Sequence, residues 1–346
     1  MSYSNARPIK MNRRQPFRPN PKFAGVAAAP VAKRVAEPRV NAALPHERAP
    51  LILEVAPGKD YALIDSGDGL KFERYGQMHI VRPEGQAIWR PALPMQDWAT
   101  ADAVFTGDTD EEGVGRWKLS DPNQGESFAL AHEGMPFLGR FTSFRHVGIF
   151  PEQATHWAHM EALIKNAKLL HKDRPVKVLN LFGYTGVASL IAARAGAEVT
   201  HIDASKKAIG WARENQAMAG LENARIRWIC EDAMLFIERE QRRGSFYDII
   251  LADPPAYGRG PNGEVWELFA DLPFLVARCR DILSPDPLAF VLTAYSIRAS
   301  FYALHAVMRD AFAGRGGEVQ SGELVIREET AGRLLSTSLF SRWVAQ

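Results

Sequence analysis

Short runs of apolar residues punctuate the C-terminal part of the chain at Val178–Phe182, Glu198–Ile202, Ala224–Ile229, Tyr247–Ala252 and Leu288–Thr293. Their length and their lack of polar alternation suit strands buried on both faces of a parallel sheet. Between them lie segments that read as helices: Val187–Ala195, a segment capped by Ser205 that runs to Met218 and stops at Gly220, Ala233–Arg239, and Glu264–Leu283. A longer helix is predicted before them, over Glu152–Leu170. Glu323–Glu328 and Thr337–Trp343 alternate apolar with polar residues around a turn at Gly332, the pattern of an antiparallel edge hairpin. Strands alternating with helices predict an α/β fold wound around a mostly parallel sheet.

The pattern is different from Leu51 to about Phe144. Tyr61–Asp65 and Leu70–Arg74 flank the turn Ser66-Gly67-Asp68-Gly69, and Met78–Val81, Arg116–Leu119, Ser127–Ala131 and Pro136–Phe141 are further short strands. A small β-rich domain is expected here. Arg74, Arg82, Arg90, Arg140 and Arg145 interleave with Phe72, Tyr75, Trp89, Phe141 and Phe144, which suits either half-buried strands or a nucleic-acid surface with stacking rings. Half-buried strands are the simpler reading.

Chemistry enters with Val176–Asp203. A strand, the turn Gly183-Tyr184-Thr185-Gly186, a helix and a second strand ending on Asp203 make one βαβ unit. The glycine turn lets a ligand approach the backbone at a helix N-terminus, and the terminal acid can receive ribose hydroxyls. A dinucleotide fingerprint needs G-x-G-x-x-G to seat pyrophosphate, and this turn has only G-x-x-G, preceded by Asn180. S-adenosylmethionine has no phosphate and tolerates polar side chains such as Asn180 and Thr185. A tight turn with no ligand would use the same two glycines.

The strand Tyr247–Ala252 ends in Asp253-Pro254-Pro255-Ala256-Tyr257-Gly258. Two consecutive prolines cannot continue a central strand, so the chain turns out here and exposes the Asp253 carboxylate and carbonyl oxygens at the carboxyl end of the sheet. Asp232, in Cys230-Glu231-Asp232-Ala233, ends another predicted strand, where it can also cap the next helix.

Taken in order, N-L-F-G-Y-T-G, H-I-D-A-S, E-N-Q-A-M-A-G-L, C-E-D-A and D-P-P-A-Y resemble the successive motifs of class I S-adenosylmethionine-dependent methyltransferases. The branch is similar to the bacterial 23S rRNA cytosine-C5 and guanine methyltransferases, and the likeness runs from Gly148 to Ser296. It starts at Gly148-Ile149-Phe150-Pro151-Glu152-Gln153, which is similar to the G-x-F-x-D-Q segment of that group. The resemblance implies a Rossmann-like seven-stranded methyltransferase sheet over residues 146–346, with S-adenosyl-L-methionine as cofactor. It carries cofactor binding onto Phe150, Gln153, Asn180, Phe182, Gly183, Tyr184, Thr185, Gly186, Asp203, Ala204, Ser205, Asp232, Ala233 and Asp253. Asp232 would receive the adenine amine. Catalysis falls to Asp253, Pro254 and Tyr257, the first two accepting hydrogen bonds from a base on which the Tyr257 ring stacks.

Acceptor chemistry divides the branch. Methylation at cytosine C5 requires a thiolate that adds to C6, and the C5 relatives carry a Cys after the sixth strand, where this chain has Thr293-Ala294-Tyr295-Ser296. The expectation is therefore methylation of an RNA base, ribosomal RNA foremost, at a nitrogen. A small-molecule or protein methyltransferase, a C5 enzyme with an atypical site, and a noncatalytic RNA-binding protein are the alternatives. The aromatic residue that directly follows Pro-Pro in amine methylators is displaced here by Ala256.

Charge adds an expected third region, residues 1–48. It holds ten Lys or Arg against two acids, Glu37 and Glu47, while the whole chain is only +2. With seven prolines and few large apolar residues it is expected to be disordered, and such an arm attracts phosphate backbones. Its Arg-rich start also resembles a transit peptide, although the prolines spoil an amphipathic helix. Residues 49–145 are then the small β-rich domain, a candidate for substrate recognition. Cys230 and Cys279 provide neither a disulfide framework nor a zinc pair, which suits a reducing cytoplasm. His156 and His159 share a helix face as a metal pair would, yet no third ligand stands out, and no metal is expected. No apolar run has the ~20 residues of a membrane span. Monomer and homodimer both stay open.

Overall fold

A computed structural model of the chain describes residues 41–107, 115–170, 174–295 and 297–346. The arm expected over 1–48 therefore lies outside the described residues as far as residue 40, as does Ser296. In chain order the elements begin with β1 (His46–Val55), β2 (Tyr61–Gly67), β3 (Leu70–Tyr75), β4 (Met78–Pro83), α1 (Met95–Trp98), β5 (Ala103–Gly107) and β6 (Gly115–Leu119). The hairpin β7 (Ser127–His132) and β8 (Met135–Arg140) follows, and then a 3-10 turn at Pro151–Gln153 leading into α2 (Ala154–Leu170). The winding continues with β9 (Lys177–Leu181), α3 (Val187–Arg194), β10 (Glu198–Asp203), α4 (Lys206–Met218), β11 (Ile226–Cys230), α5 (Ala233–Arg243) and β12 (Ile249–Ala252). The hairpin β13 (Tyr257–Arg259) and β14 (Val265–Glu267), α6 (Leu268–Asp281), β15 (Ala289–Tyr295), α7 (Phe301–Ala311), β16 (Glu318–Arg327) and β17 (Leu334–Val344) complete the chain.

The main sheet runs β1-β16-β17-β15-β12-β9-β10-β11. Only β17 is antiparallel to its neighbours. Strand order reverses between β9 and β12, and open α/β sheets bind ligands at the carboxyl ends of the strands flanking such a switch point.

Seven of the sheet's eight strands lie within residues 146–346, and the eighth joins from outside that range. The eighth is β1, which lies parallel to β16 at the edge, with its register interrupted between Arg48 and Leu51. Pro50 sits in that interruption, where an edge strand tolerates a missing donor. Contact is close: a Cβ on Gly322 of β16 would lie 1.7 Å from the Leu51 carbonyl oxygen. Glu47 of β1 reaches α7, 2.7 Å from Arg309 Nη1 and 3.1 Å from His305 Nε2.

The strands β2 to β6 form a second sheet, which shares its core with the first. Tyr75, Ile80, Phe128 and Phe137 pack into one cluster with Trp157 and Met160 of α2, Leu190 of α3 and Val178 of β9. On the other face of the main sheet, Phe236, Leu275, Phe290, Phe312 and Trp343 make the core beneath α5, α6 and α7.

A correction concerns the segment after the prolines. Where a helix from Glu264 was expected, the chain forms the β13–β14 hairpin and the helix starts at Leu268. The hairpin is tied back to the proline turn, because Trp266 Nε1 donates to the Pro255 carbonyl at 2.7 Å and Leu268 N to that of Ala256 at 3.0 Å.

Candidate active site

The turn after β9 is held in a demanding conformation. Phe182 and Tyr184 both occupy the left-handed region, with φ of 55° and 51°, which side chains other than glycine seldom adopt. Gly183 N donates to the Ile202 carbonyl at 3.0 Å, and Tyr184 N to Asp203 Oδ2 at 2.9 Å. Gly183 is needed for space: a Cβ there would meet His201 Cε1 at 2.4 Å. Thr185 Oγ1 donates to the Gly148 carbonyl at 2.5 Å, and the fully buried Asn215 of α4 donates to the Thr185 carbonyl while accepting from Leu138 N. The turn is thereby fastened to α4, to β8 and to the segment that leads into α2.

Asp203 closes β10 with both oxygens engaged, Oδ2 by Tyr184 N and Oδ1 by Ser205 N at 2.7 Å. Burial pushes its carboxyl above the usual range, and these two bonds oppose the shift. A carboxylate has about four acceptor sites, so capacity remains for ligand hydroxyls. Asp232 caps α5 by accepting from Leu235 N at 3.0 Å.

Asp253 lies beyond β12 in a polar knot. Thr293 Oγ1 of β15 donates to its Oδ1 at 2.5 Å, and Gln153 Nε2 donates to its Oδ2 at 3.1 Å. Gln153 Nε2 also lies 3.1 Å from Thr293 Oγ1. Burial raises the Asp253 carboxyl, and the two donors hold it back.

These groups surround one cavity of about 730 Å³ at the carboxyl ends of the strands. Of the residues expected from the sequence, Phe150, Gln153, Asn180, Phe182, Gly183, Tyr184, Thr185, Asp203, Ala204, Ser205, Asp232, Ala233, Asp253 and Pro254 line it. Gly186 and Tyr257 do not. Gly186 instead sets the turn, with φ of 83° and no room for a Cβ against Trp228. Tyr257, 39% exposed, belongs to β13, because Ala256 carries the ring one residue past the turn. Asn180 faces partly inward to the fold, donating to Ser189 Oγ at 2.9 Å.

Several lining residues escaped the sequence reading: His146, Glu152, His156, Trp157, Trp266 and Tyr295. Phe150 sits among three other rings, 4.8 Å from His146, 5.7 Å from Tyr184 and 6.1 Å from Tyr295. Tyr295 was the most accessible to foresight, since it ends a central strand at the carboxyl rim. The others converge only through folding.

Among the interleaved arginines Arg82 and Arg145 are buried within the fold, while Arg90 is exposed. Arg82 pairs with Glu73, holding that buried carboxyl down at about 2 against its desolvation. Arg145 donates to the Pro83 carbonyl and the Tyr295 hydroxyl, and Arg140 pairs with Glu214. Among the described residues no group of three or more His, Cys, Asp or Glu is arranged to hold a metal. Neither cysteine lines the cavity: Cys279 is buried with its thiol pushed far up by desolvation, and Cys230 is exposed.

Comparison with known proteins now bears on the site. The family model described as conserved hypothetical protein 95 matches residues 164–274. A crystal structure of an S-adenosylmethionine-dependent methyltransferase from Agrobacterium tumefaciens is 60% identical, covering 89% of this chain and 97% of that one, with a TM-score of 0.85. The chain belongs to the S-adenosylmethionine-dependent methyltransferases. Curated relatives of the methyltransferase include the ribosomal RNA large subunit methyltransferases K/L of Shewanella frigidimarina, 37% identical over 178 residues, and of Syntrophotalea carbinolica, 28% identical over 155. It spans 23% and 20% of their lengths, and the matches cover 51% and 44% of its own.

The cavity suits this cofactor. In the methyltransferase, Phe182, Tyr184 and Asp203 all line it, and Asp203 keeps acceptor capacity beyond its bonds to Tyr184 N and Ser205 N.

Proposed function

We propose that this methyltransferase modifies a base of RNA, ribosomal RNA foremost, at a nitrogen by in-line transfer. The observation that carries the reading is the Asp253 carboxylate, fixed by Gln153 and Thr293 in the cavity wall immediately before Pro254-Pro255. S-adenosylmethionine supplies a methyl carbon on a sulfonium, so the protein's task is alignment and not covalent assistance.

Asp203 holds the ribose and Asp232 the adenine amine, with Gly183, Thr185 and Ser205 shaping the cofactor half. At the other half, Asp253 and the Pro254 carbonyl accept from the amine of the base and orient its lone pair. A carboxylate whose proton affinity is raised by burial can also hold the proton that the amine sheds once the new bond forms. Rings for stacking come from Phe150 and Tyr295 in the cavity wall, with Tyr257 on the hairpin outside it. Residues 49–145, whose core adjoins the cavity, take part in substrate recognition. A cytosine C5 mechanism is disfavoured because neither cysteine reaches the cavity. No helix among the described residues is long and apolar enough to cross a membrane, and we place the protein in the cytoplasm.

The test is tritium transfer from labelled S-adenosylmethionine to ribosomes of a strain lacking the gene, followed by nucleoside mass spectrometry. Label in a nitrogen-methylated nucleoside of ribosomal RNA is expected. Label confined to protein or to a small molecule would overturn the RNA reading.

A further inference from the structure

Two buried polar side chains in the cavity wall lie outside every role assigned above. Glu152 is 5% exposed and His156 2%; Glu152 lies in the 3-10 turn that leads into α2 and His156 in the first turn of α2. Both line the cavity. Gln153, next to Glu152, reaches Asp253 at 3.1 Å, which places the pair at the acceptor half.

Buried polar groups are almost always hydrogen-bonded, because an unmade bond leaves the desolvation cost uncompensated. Among the described residues, neither ring nitrogen of His156 has a partner. The Glu152 carboxyl accepts from its own backbone N–H. Lys71 and Arg82, the cations that act on Glu152, are committed to Glu84 and Glu73, and Arg342, the cation beside His156, donates to Gln320 and does not line the cavity. His156, with both ring nitrogens unpartnered, carries an uncompensated desolvation cost that a ligand completing its hydrogen bonds would offset.

Their protonation states restrict which ligand. Burial pushes the Glu152 carboxyl up to about 7, against the pull of Lys71 and Arg82 and with the repulsion of Glu73; Tyr61, Tyr75 and Tyr295 also face it. Burial, with Arg342 and His159 nearby, holds the His156 imidazole well below its ordinary value. In its neutral form the Glu152 carboxyl offers one donor and at least one acceptor, and a neutral imidazole offers one of each. That pairing does not fit a phosphate, which would call for uncommitted cations. It fits the edge of a neutral heterocycle carrying a donor beside an acceptor, with the rings of Phe150 and Tyr295 to cover its faces.

We infer that Glu152 and His156 form the base-reading wall of the acceptor pocket, binding an unstacked nucleobase by an edge on which an N–H donor adjoins a ring nitrogen or carbonyl acceptor. This rests on the RNA reading above. It assigns substrate selection to the start of α2 and leaves transfer to Asp253.

The experiment measures kcat/KM for unmodified ribosomal RNA from pH 6 to 9, together with calorimetric affinity for S-adenosylmethionine, in wild type, Glu152→Gln, Glu152→Leu and His156→Phe. Wild-type efficiency should fall as pH rises through about 7, where the neutral carboxyl is lost. Glu152→Gln keeps a donor and an acceptor, so its efficiency should stay near that of wild type without the alkaline fall. Glu152→Leu and His156→Phe should lose about 10- to 100-fold in kcat/KM, as expected for an unmade buried hydrogen bond, with cofactor affinity intact. Full activity in Glu152→Leu would overturn the inference alone, as would a loss of cofactor affinity matching the loss of transfer. Absence of transfer to RNA by wild type would overturn the RNA reading and this inference with it.

Discussion

Gln153 Nε2 donates to Asp253 Oδ2 at 3.1 Å, joining residues 100 positions apart in the chain. The bond couples the segment before α2, which Thr185 anchors through Gly148, to the proline turn after β12. The proline turn is thereby tied, through Gln153 and Gly148, to the turn after β9.

The Thr293 hydroxyl is the shorter of the two bonds to Asp253, at 2.5 Å, and it stabilises the charged carboxylate. In Thr293→Val that donor is lost, so the Asp253 pKa rises further and the acid limb of the activity profile moves to higher pH. A pH–rate profile checks this. An unmoved limb would mean that Asp253 does not act as an ionised acceptor.

Gly183→Ala places a methyl group 2.4 Å from His201 Cε1, inside a wall that also includes Asn180. The expected cost is about 1–3 kcal/mol, the range for overpacking, with weaker cofactor binding as the turn shifts. Urea denaturation of the variant measures the first and calorimetry the second.

Glu152 also makes a prediction about stability. Its carboxyl titrates at about 7 in the folded protein against an ordinary value of 4.5, so the folded state binds the proton more tightly. Its favourable contribution is complete below about pH 4.5 and disappears as pH rises through about 7, a change of roughly 3 kcal/mol at most. Glu152→Gln should flatten the stability curve across that window. An unchanged slope would show that Glu152 titrates normally.

What could be read from the chain depended on how each element is buried. β9, β10 and β12 were legible because both of their faces are covered, which leaves a continuous apolar run. β1 was not: as a half-exposed edge strand interrupted by Pro50, it has no periodic signal, and only its pairing with β16 defines it. The β13–β14 hairpin depends on the Trp266 bond to Pro255, which no local pattern announces. In the site, Asp203, Asp232 and Asp253 were legible because acids at strand ends have a fixed place at the sheet's rim. Tyr257 lies in β13, one residue further from the prolines because Ala256 intervenes. Glu152, His156 and Tyr295 acquire their meaning only where α2, β15 and the second sheet meet.

The proposed division of the cavity has a cofactor half at Asp203 and an acceptor half at Asp253. Calorimetric titration of S-adenosylmethionine into wild type, Asp203→Ala and Asp253→Ala tests it directly, with methyl transfer recorded for each protein. Asp203→Ala should bind at least about tenfold more weakly, as expected when bonds to a charged group are lost. Asp253→Ala should bind like wild type and transfer almost nothing. Equal loss of affinity in both variants would contradict the division.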